Sequence, residues 1–171
     1  MLAIKNILVA TDFSECSDAA LMYARALAGQ FGARLRVLHN VEFRGAVDVA
    51  GMGVFSTSSP DLLAELENDA RNRLNALLSD SDRELLGAEP VLCEGAPAAE
   101  AIVDYAASQN IDLIVLGTHG RRGLSHLLLG SVAEHVVRSA PCPVLTVRPP
   151  QRDFVVAAQT ADVSSVTRKA I

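Results

Sequence analysis

The chain reads as an α/β protein: a single doubly wound, five-stranded parallel sheet with helices on both faces. Three observations predict it. Short apolar runs rich in β-branched residues alternate, between residues 4 and 148, with stretches of helical spacing. The run Ile111–Leu116 is apolar almost throughout, as a strand covered on both faces must be. The glycine-rich stretch 117–131 follows that run and leads into a helix start, where folds of this class hold their ligands.

The elements follow in order. Residues 4–10 (IKNILVA) form the first strand, with Asp12 and Ser14 as candidate caps of the helix that follows. Ala19, Ala20, Tyr23, Ala24, Leu27 and Ala28 recur at helical spacing, and Gly29 or Gly32 ends that helix. Residues 34–39 alternate as a second strand, and 43–59 form a long connection with three glycines and a Ser/Thr cluster. Ser59-Pro60 opens a polar-faced helix reaching about Ser79. A strand over 88–93 and a helix from Pro97 to about Gln109 come next. Then follow the strand 111–116, a helix Ser131–Ser139 and a last strand Val144–Val147. Residues 1–148 make one domain, and 149–171, opening on Pro149-Pro150, are an extension without a recognisable motif.

Composition narrows the function. With 171 residues and 50% hydrophobic content, the chain can bury a substantial core. Its net charge of -5 and 4% aromatic content oppose nucleic-acid binding, which uses basic surfaces and stacking platforms. No apolar run approaches the roughly 18 residues that span a bilayer. The opening Met1–Lys5 lacks a signal-peptide layout. Cys16, Cys93 and Cys142 are scattered and odd in number, which fits reduced thiols in a cytoplasm.

The stretch 117–131 (GTHGRRGLSHLLLGS) carries the chemistry. Glycines let backbone N–H groups approach an anion, and a helix N-terminus adds partial positive charge. No Gly-Lys-Ser/Thr follows, so this is not a Walker A loop, and Gly117, Gly120 and Gly123 lack the G-x-G start of the dinucleotide fingerprint. Each glycine alone could equally punctuate a tight turn; the set argues for a phosphate cradle. Ser131-Val132-Ala133-Glu134 has the spacing of a capping box, which accounts for Glu134. His119, His126 and His135 do not have the i, i+4 spacing of helical zinc ligands, so no metal site is expected from them.

The spacing Gly117-x2-Gly120-x9-Gly130-Ser131 resembles the signature of the nucleotide-binding class of the universal stress protein family. Ile7–Glu15 resembles that family's first strand and adenosine-side loop, and Ala140–Val147 its last strand. The resemblance covers about residues 3–148. It implies strand order 3-2-1-4-5 and an ATP-binding regulatory protein of the stress response, with ADP or AMP as alternatives and magnesium held through phosphates. Ala10, Thr11 and Asp12 would meet the nucleoside, Asp12 through the ribose hydroxyls; a helix cap is Asp12's other reading. Asn40 stands where the family's backbone grips adenine, usually beside an apolar residue, and departs from that preference. Gly117, Thr118, His119, Gly120, Gly123, Gly130, Ser131, Val132 and Ala133 would surround the phosphates, with Arg121 and Arg122 as auxiliary charge. The resemblance further implies a homodimer through Val144–Val147. Because occupancy alone would be a poor sensor, signalling would require slow hydrolysis, ATP/AMP discrimination or a protein partner that reads the bound state.

No base or Walker-B-type carboxylate pair accompanies the cradle, so binding with at most slow hydrolysis is the economical reading. Two alternatives stay open. One is a nucleotide hydrolase of the adenine-nucleotide α-hydrolase-like fold, the other an interaction module whose nucleotide only stabilises it.

Overall fold

A computed structural model describes residues 3–42, 47–48, 54–55, 60–120 and 129–148. In chain order these form β1 (Asn6–Ala10), α1 (Glu15–Phe31), β2 (Arg34–Val41), β3 (Val47–Asp48), β4 (Val54–Phe55) and α2 (Pro60–Leu77). There follow α3 (Asp80–Leu86), β5 (Glu89–Glu94), α4 (Ala98–Ser108), β6 (Leu113–Gly117), α5 (Ser131–Ser139) and β7 (Val144–Val147). Five strands make one sheet in the order β5-β2-β1-β6-β7, and every pair is parallel. Leaving out the small β3–β4 hairpin, that is the order 3-2-1-4-5 with helices on both faces, as the sequence predicts.

Alternation along the strands divides the core in two. Ile7, Val9, Leu35, Val37 and Val115 point to one face and pack on Ala20, Leu21, Tyr23, Ala24 and Ala28 of α1 and Leu74 of α2. Leu8, Leu38, Ile114 and Leu116 point to the other, against Ala99, Ile102 and Ala106 of α4 and Ala133 and Val136 of α5. Small residues on the helices, where aromatics are scarce, let them lie close to the sheet. The chain therefore leaves β1 toward one face and β6 toward the other. These two strands are neighbours, so a crevice opens between the connections beyond their carboxyl ends.

Four local features differ from the sequence reading. The helix expected from residue 60 to about Ser79 ends at Leu77, and a further helix that the sequence reading did not place, α3, begins at Asp80. Ser79 and Asp82 form a capping box, and Gly87 closes α3 at φ +52°. Buried Asp82 also takes Arg25 Nε and Nη2 at 3.0 and 2.9 Å, tying α3 to α1. Second, the connection 43–59 contains the hairpin β3–β4, Val47 opposite Phe55. Third, β6 starts at Leu113 rather than Ile111, because the chain is still leaving α4: Ile111 N–H donates to Ala106 O. Fourth, β2 runs on to Val41, so Asn40 lies within the strand and not after it.

Candidate functional site

The wall of the crevice on the β1 side is built from short hydroxylated side chains. Strand pairing ends when Thr11 N–H donates to Leu38 O, and the next residues turn sharply. Phe13 takes φ +62°, a left-handed conformation that costs a non-glycine residue about 1–2 kcal/mol. Its N–H donates to Thr11 Oγ1 at 3.0 Å, which closes the turn. Ser14, not Asp12, is the N-cap of α1, in a capping box with Ser17. Asp12 is thereby released from the helix and acts one step back. Its Oδ1 accepts from Ser14 N–H at 3.1 Å and Ser14 Oγ–H at 2.5 Å. Ser17 Oγ–H donates to Ser14 O, so in the buried Thr11–Ser17 contact of 3.1 Å the threonine is the donor.

The opposite wall is backbone. A Cβ on Gly117 would lie 2.7 Å from Cys16 Sγ and 3.0 Å from Cys16 O. Glycine is required there for β6 to pass the first turn of α1, whatever the loop binds. A Cβ on Gly120 would meet Asp12 Oδ2 at 2.7 Å, so the two loops touch across the crevice. Thr118 is buried; its N–H donates to Val147 O, and its Oγ1 lies 3.0 Å from His119 Nδ1. Its carbonyl accepts Gly130 N–H at 2.8 Å, which brings the far end of the loop back to the strand. Gly130, not Ser131, is the N-cap of α5, so the capping box expected of Ser131 and Glu134 does not form. Ser131 is instead the first helical residue, and the box's glutamate faces Arg138 at 3.9 Å. This geometry leaves the N–H groups of Ser131, Val132 and Ala133 outside the helix's own ladder, at its positive end. Arg121, Arg122, Gly123 and His126 lie outside the described residues.

Between the walls lies the end of β2. In a parallel strand alternate residues turn both main-chain groups to the same neighbour. Arg34 and Leu38 turn theirs to β1, as Arg34 N–H to Lys5 O and Thr11 N–H to Leu38 O show. Asn40 therefore turns its N–H and C=O the same way, but β1 pairs no further than Ala10 with Leu38. The peptide edge of Asn40 faces the crevice. Its side chain points to the α4 face, where Nδ2 donates to Ala96 O at 2.9 Å. Because a carbonyl only accepts, this bond fixes the amide's orientation and leaves Oδ1 buried without a hydrogen-bond partner among the described residues.

The residues Gly95–Ala99, Glu42, Ser131, Val132 and His135 line a cavity of about 400 Å³, the size of small-molecule sites. Glu42 Oε1 accepts Ala98 N–H at 2.9 Å and supplies the cap that Pro97 cannot. The sequence reading missed this Gly95–Pro97 turn and Glu42. The only signal was Gly95, which takes φ +84°. Among the described residues no three His, Cys, Asp or Glu side chains are grouped to hold a metal ion. Burial raises the thiols of Cys93 and Cys142, with Glu94 and Asp112 adding to it, so neither is an activated nucleophile.

The family model described as the universal stress protein family matches residues 3–148. The chain belongs to this family. A universal stress protein of Thermus aquaticus is 39% identical over 145 residues, covering 84% of this chain and 98% of its own. Another, from Methanocaldococcus jannaschii, is 34% identical over 149 residues, covering 87% and 85%. Among solved structures, universal stress protein UspA from Lactobacillus plantarum superposes with a TM-score of 0.66 at 27% identity, covering 86% of this chain and 100% of its own. A universal stress protein from Archaeoglobus fulgidus in complex with dAMP gives 0.58 at 25% identity, covering 86% and 99%. One in complex with cAMP gives 0.54 at 25%, covering 85% and 98%.

The family match thus spans every strand and helix of the sheet and stops where the described residues stop. Within this universal stress protein, the two loops that carry the family resemblance are the two that meet at Asp12 and Gly120. Among the described residues no helix is long and apolar enough to cross a membrane.

Proposed function

We propose that this protein binds an adenine nucleotide, ATP foremost, in the crevice between the β1 and β6 connections. The observation that carries the reading is the peptide edge of Asn40, turned into the space beyond β1. It offers a donor and an acceptor side by side, the complement of adenine's ring nitrogen N1 and its 6-amino group. Guanine presents the reverse pattern along the same edge. Ala10 and Thr11 flank that edge, and Asp12 offers a carboxylate to the ribose hydroxyls. The first-turn N–H groups of Ser131, Val132 and Ala133, with the backbone of His119 and Gly120, receive the phosphates. Arg121, Arg122 and Gly123 complete the cradle in this reading, and magnesium is carried on phosphate oxygens and water. That two solved relatives hold dAMP and cAMP supports the class of ligand.

In this reading the protein keeps its nucleotide and hydrolyses it slowly at most, acting as a cytoplasmic regulator of the stress response. At about 0.3 kcal/mol per ligand atom, a nucleotide of about thirty heavy atoms binds with micromolar affinity. Occupancy then carries information through slow hydrolysis, through discrimination between ATP and AMP, or through a partner that reads the bound state. β7 is a sheet edge, and its exposed flank would pair across a homodimer axis. Mass spectrometry of ligand released from freshly purified protein should find an adenine nucleotide. Calorimetric titration of stripped protein should give a micromolar dissociation constant for ATP. No heat up to millimolar ATP would sink the proposal.

A further inference from the structure

Asp12 is held by a turn whose unfavourable residue is Phe13, and two groups pack against the Phe13 ring. One is the ring of His39, with centroids 4.4 Å apart and planes tilted by 43°. His39 is itself fixed, because its Nδ1–H donates to Thr11 O at 2.8 Å. The other is the guanidinium of Arg73, on α2, which sits 4.0 Å from the ring centroid. Arg73 is partly exposed and reaches Asp69, one helical turn away, only at 3.9 Å. Its close contact is therefore the aromatic face, where a cation is attracted to the ring's negative quadrupole.

We infer that Arg73 is a positioning residue for Asp12: through the Phe13 ring it holds the left-handed turn that aims the carboxylate at the ribose of the bound nucleotide. The inference rests on the proposed adenine-nucleotide site. The turn needs such support, because an aromatic residue with positive φ relaxes toward negative φ unless its surroundings prevent it. Relaxation at Phe13 would move the adjacent peptide and swing Asp12 away from Ser14 and Gly120. Thr11 Oγ1 holds the Phe13 N–H, His39 holds the Thr11 carbonyl and packs on the Phe13 ring, and Arg73 bears on that ring from α2. Helix α2 is thereby linked mechanically to the nucleoside wall.

The test compares ATP with 2′,3′-dideoxy-ATP, which lacks both ribose hydroxyls, by calorimetry on the full-length protein. Wild type should prefer ATP by about tenfold, the worth of a hydrogen bond to a charged group. Arg73→Ala should reduce that preference several-fold while the melting temperature changes little, and Arg73→Lys, which keeps a cation over the ring, should largely restore it. Asp12→Ala is the reference for a lost ribose contact. If Arg73→Ala retains the full preference while Asp12→Ala abolishes it, the role of Arg73 is wrong and the site stands. If Asp12→Ala also retains it, the ribose assignment fails and the inference fails with it.

Discussion

The two walls of the crevice are made of different material. The β1 wall is a web of side chains: Thr11, Asp12, Ser14 and Ser17 are linked to one another by six hydrogen bonds within one turn. The β6 wall is main chain, with glycines at 117, 120 and 130 chosen for what a Cβ would strike. Each wall therefore fails in its own way. The first is damaged by removing atoms and the second by adding them, and substitutions can tell whether each residue serves the fold or the ligand.

The largest effect should come from Gly117→Val. The new side chain would be forced against Cys16 Sγ and the Cys16 carbonyl, and overpacking of this kind costs about 3 kcal/mol, read as a lower midpoint in urea. Gly130→Ala sharpens the contrast. Its Cβ would stand 3.3 Å from Thr118 O, so stability should fall by less than about 1 kcal/mol while ATP binding weakens. Equal loss of stability in both variants would erase the distinction between a packing glycine and a cradle glycine.

A corner remote from the crevice provides the control. Asp82→Asn should cost about 2 kcal/mol at neutral pH, since Arg25 and the Ser79 cap lose their charged partner, and ATP affinity should not change. Burial alone would raise the Asp82 carboxyl, but Arg25 and the Ser79 N–H and hydroxyl outweigh it and hold it below the ordinary 3.8. A lowered value in the folded state means stability that is present above pH 3.8 and lost as the carboxylate is protonated on further acidification. The difference between wild type and Asp82→Asn should accordingly shrink below pH 3.8 in acid-unfolding curves. A constant difference down to pH 2 would contradict the pairing.

On the nucleoside wall, Asp12→Ala should weaken ATP about tenfold and leave the melting temperature within a few degrees, because Ser14 and Ser17 still cap α1. The smallest effect belongs to Asn40→Val. It removes the Ala96 bond together with the orphaned Oδ1, two changes of opposite sign, and leaves the peptide edge untouched. ATP affinity should move by less than about threefold. A larger drop would transfer the base contact from the main chain to the side chain.

How much of this was legible follows from the same contrast. The alternation of strands and helices, the two covered faces and the meeting of two loops were readable because apolar periodicity and glycine spacing are one-dimensional signals, whereas strand order came with the family resemblance. Caps were readable only as sets of candidates, Ser14 and Gly32 among them, because several residues compete for the same few groups at a helix end. Ser14 displaced Asp12 by pairing with Ser17, and Gly130 displaced Ser131 by bonding Thr118 O. Helix α3 was missed between the polar-faced helix and the third strand, although Ser79 and Asp82 carry a capping box's spacing. The Glu42–Ala98 bond and the Phe13–Arg73 contact join chain segments distant in sequence, and no local pattern announces them. Asn40, expected just after the second strand, lies within it, and its edge became meaningful only once β1 was seen to end at Ala10.

The most direct test of the account is a crystal structure with a non-hydrolysable ATP analogue. The account predicts adenine against the main chain of Asn40, ribose hydroxyls on Asp12 and phosphates at the N–H groups of Ser131–Ala133. An analogue bound elsewhere, or bound in the crevice with its phosphates away from the start of α5, would contradict it.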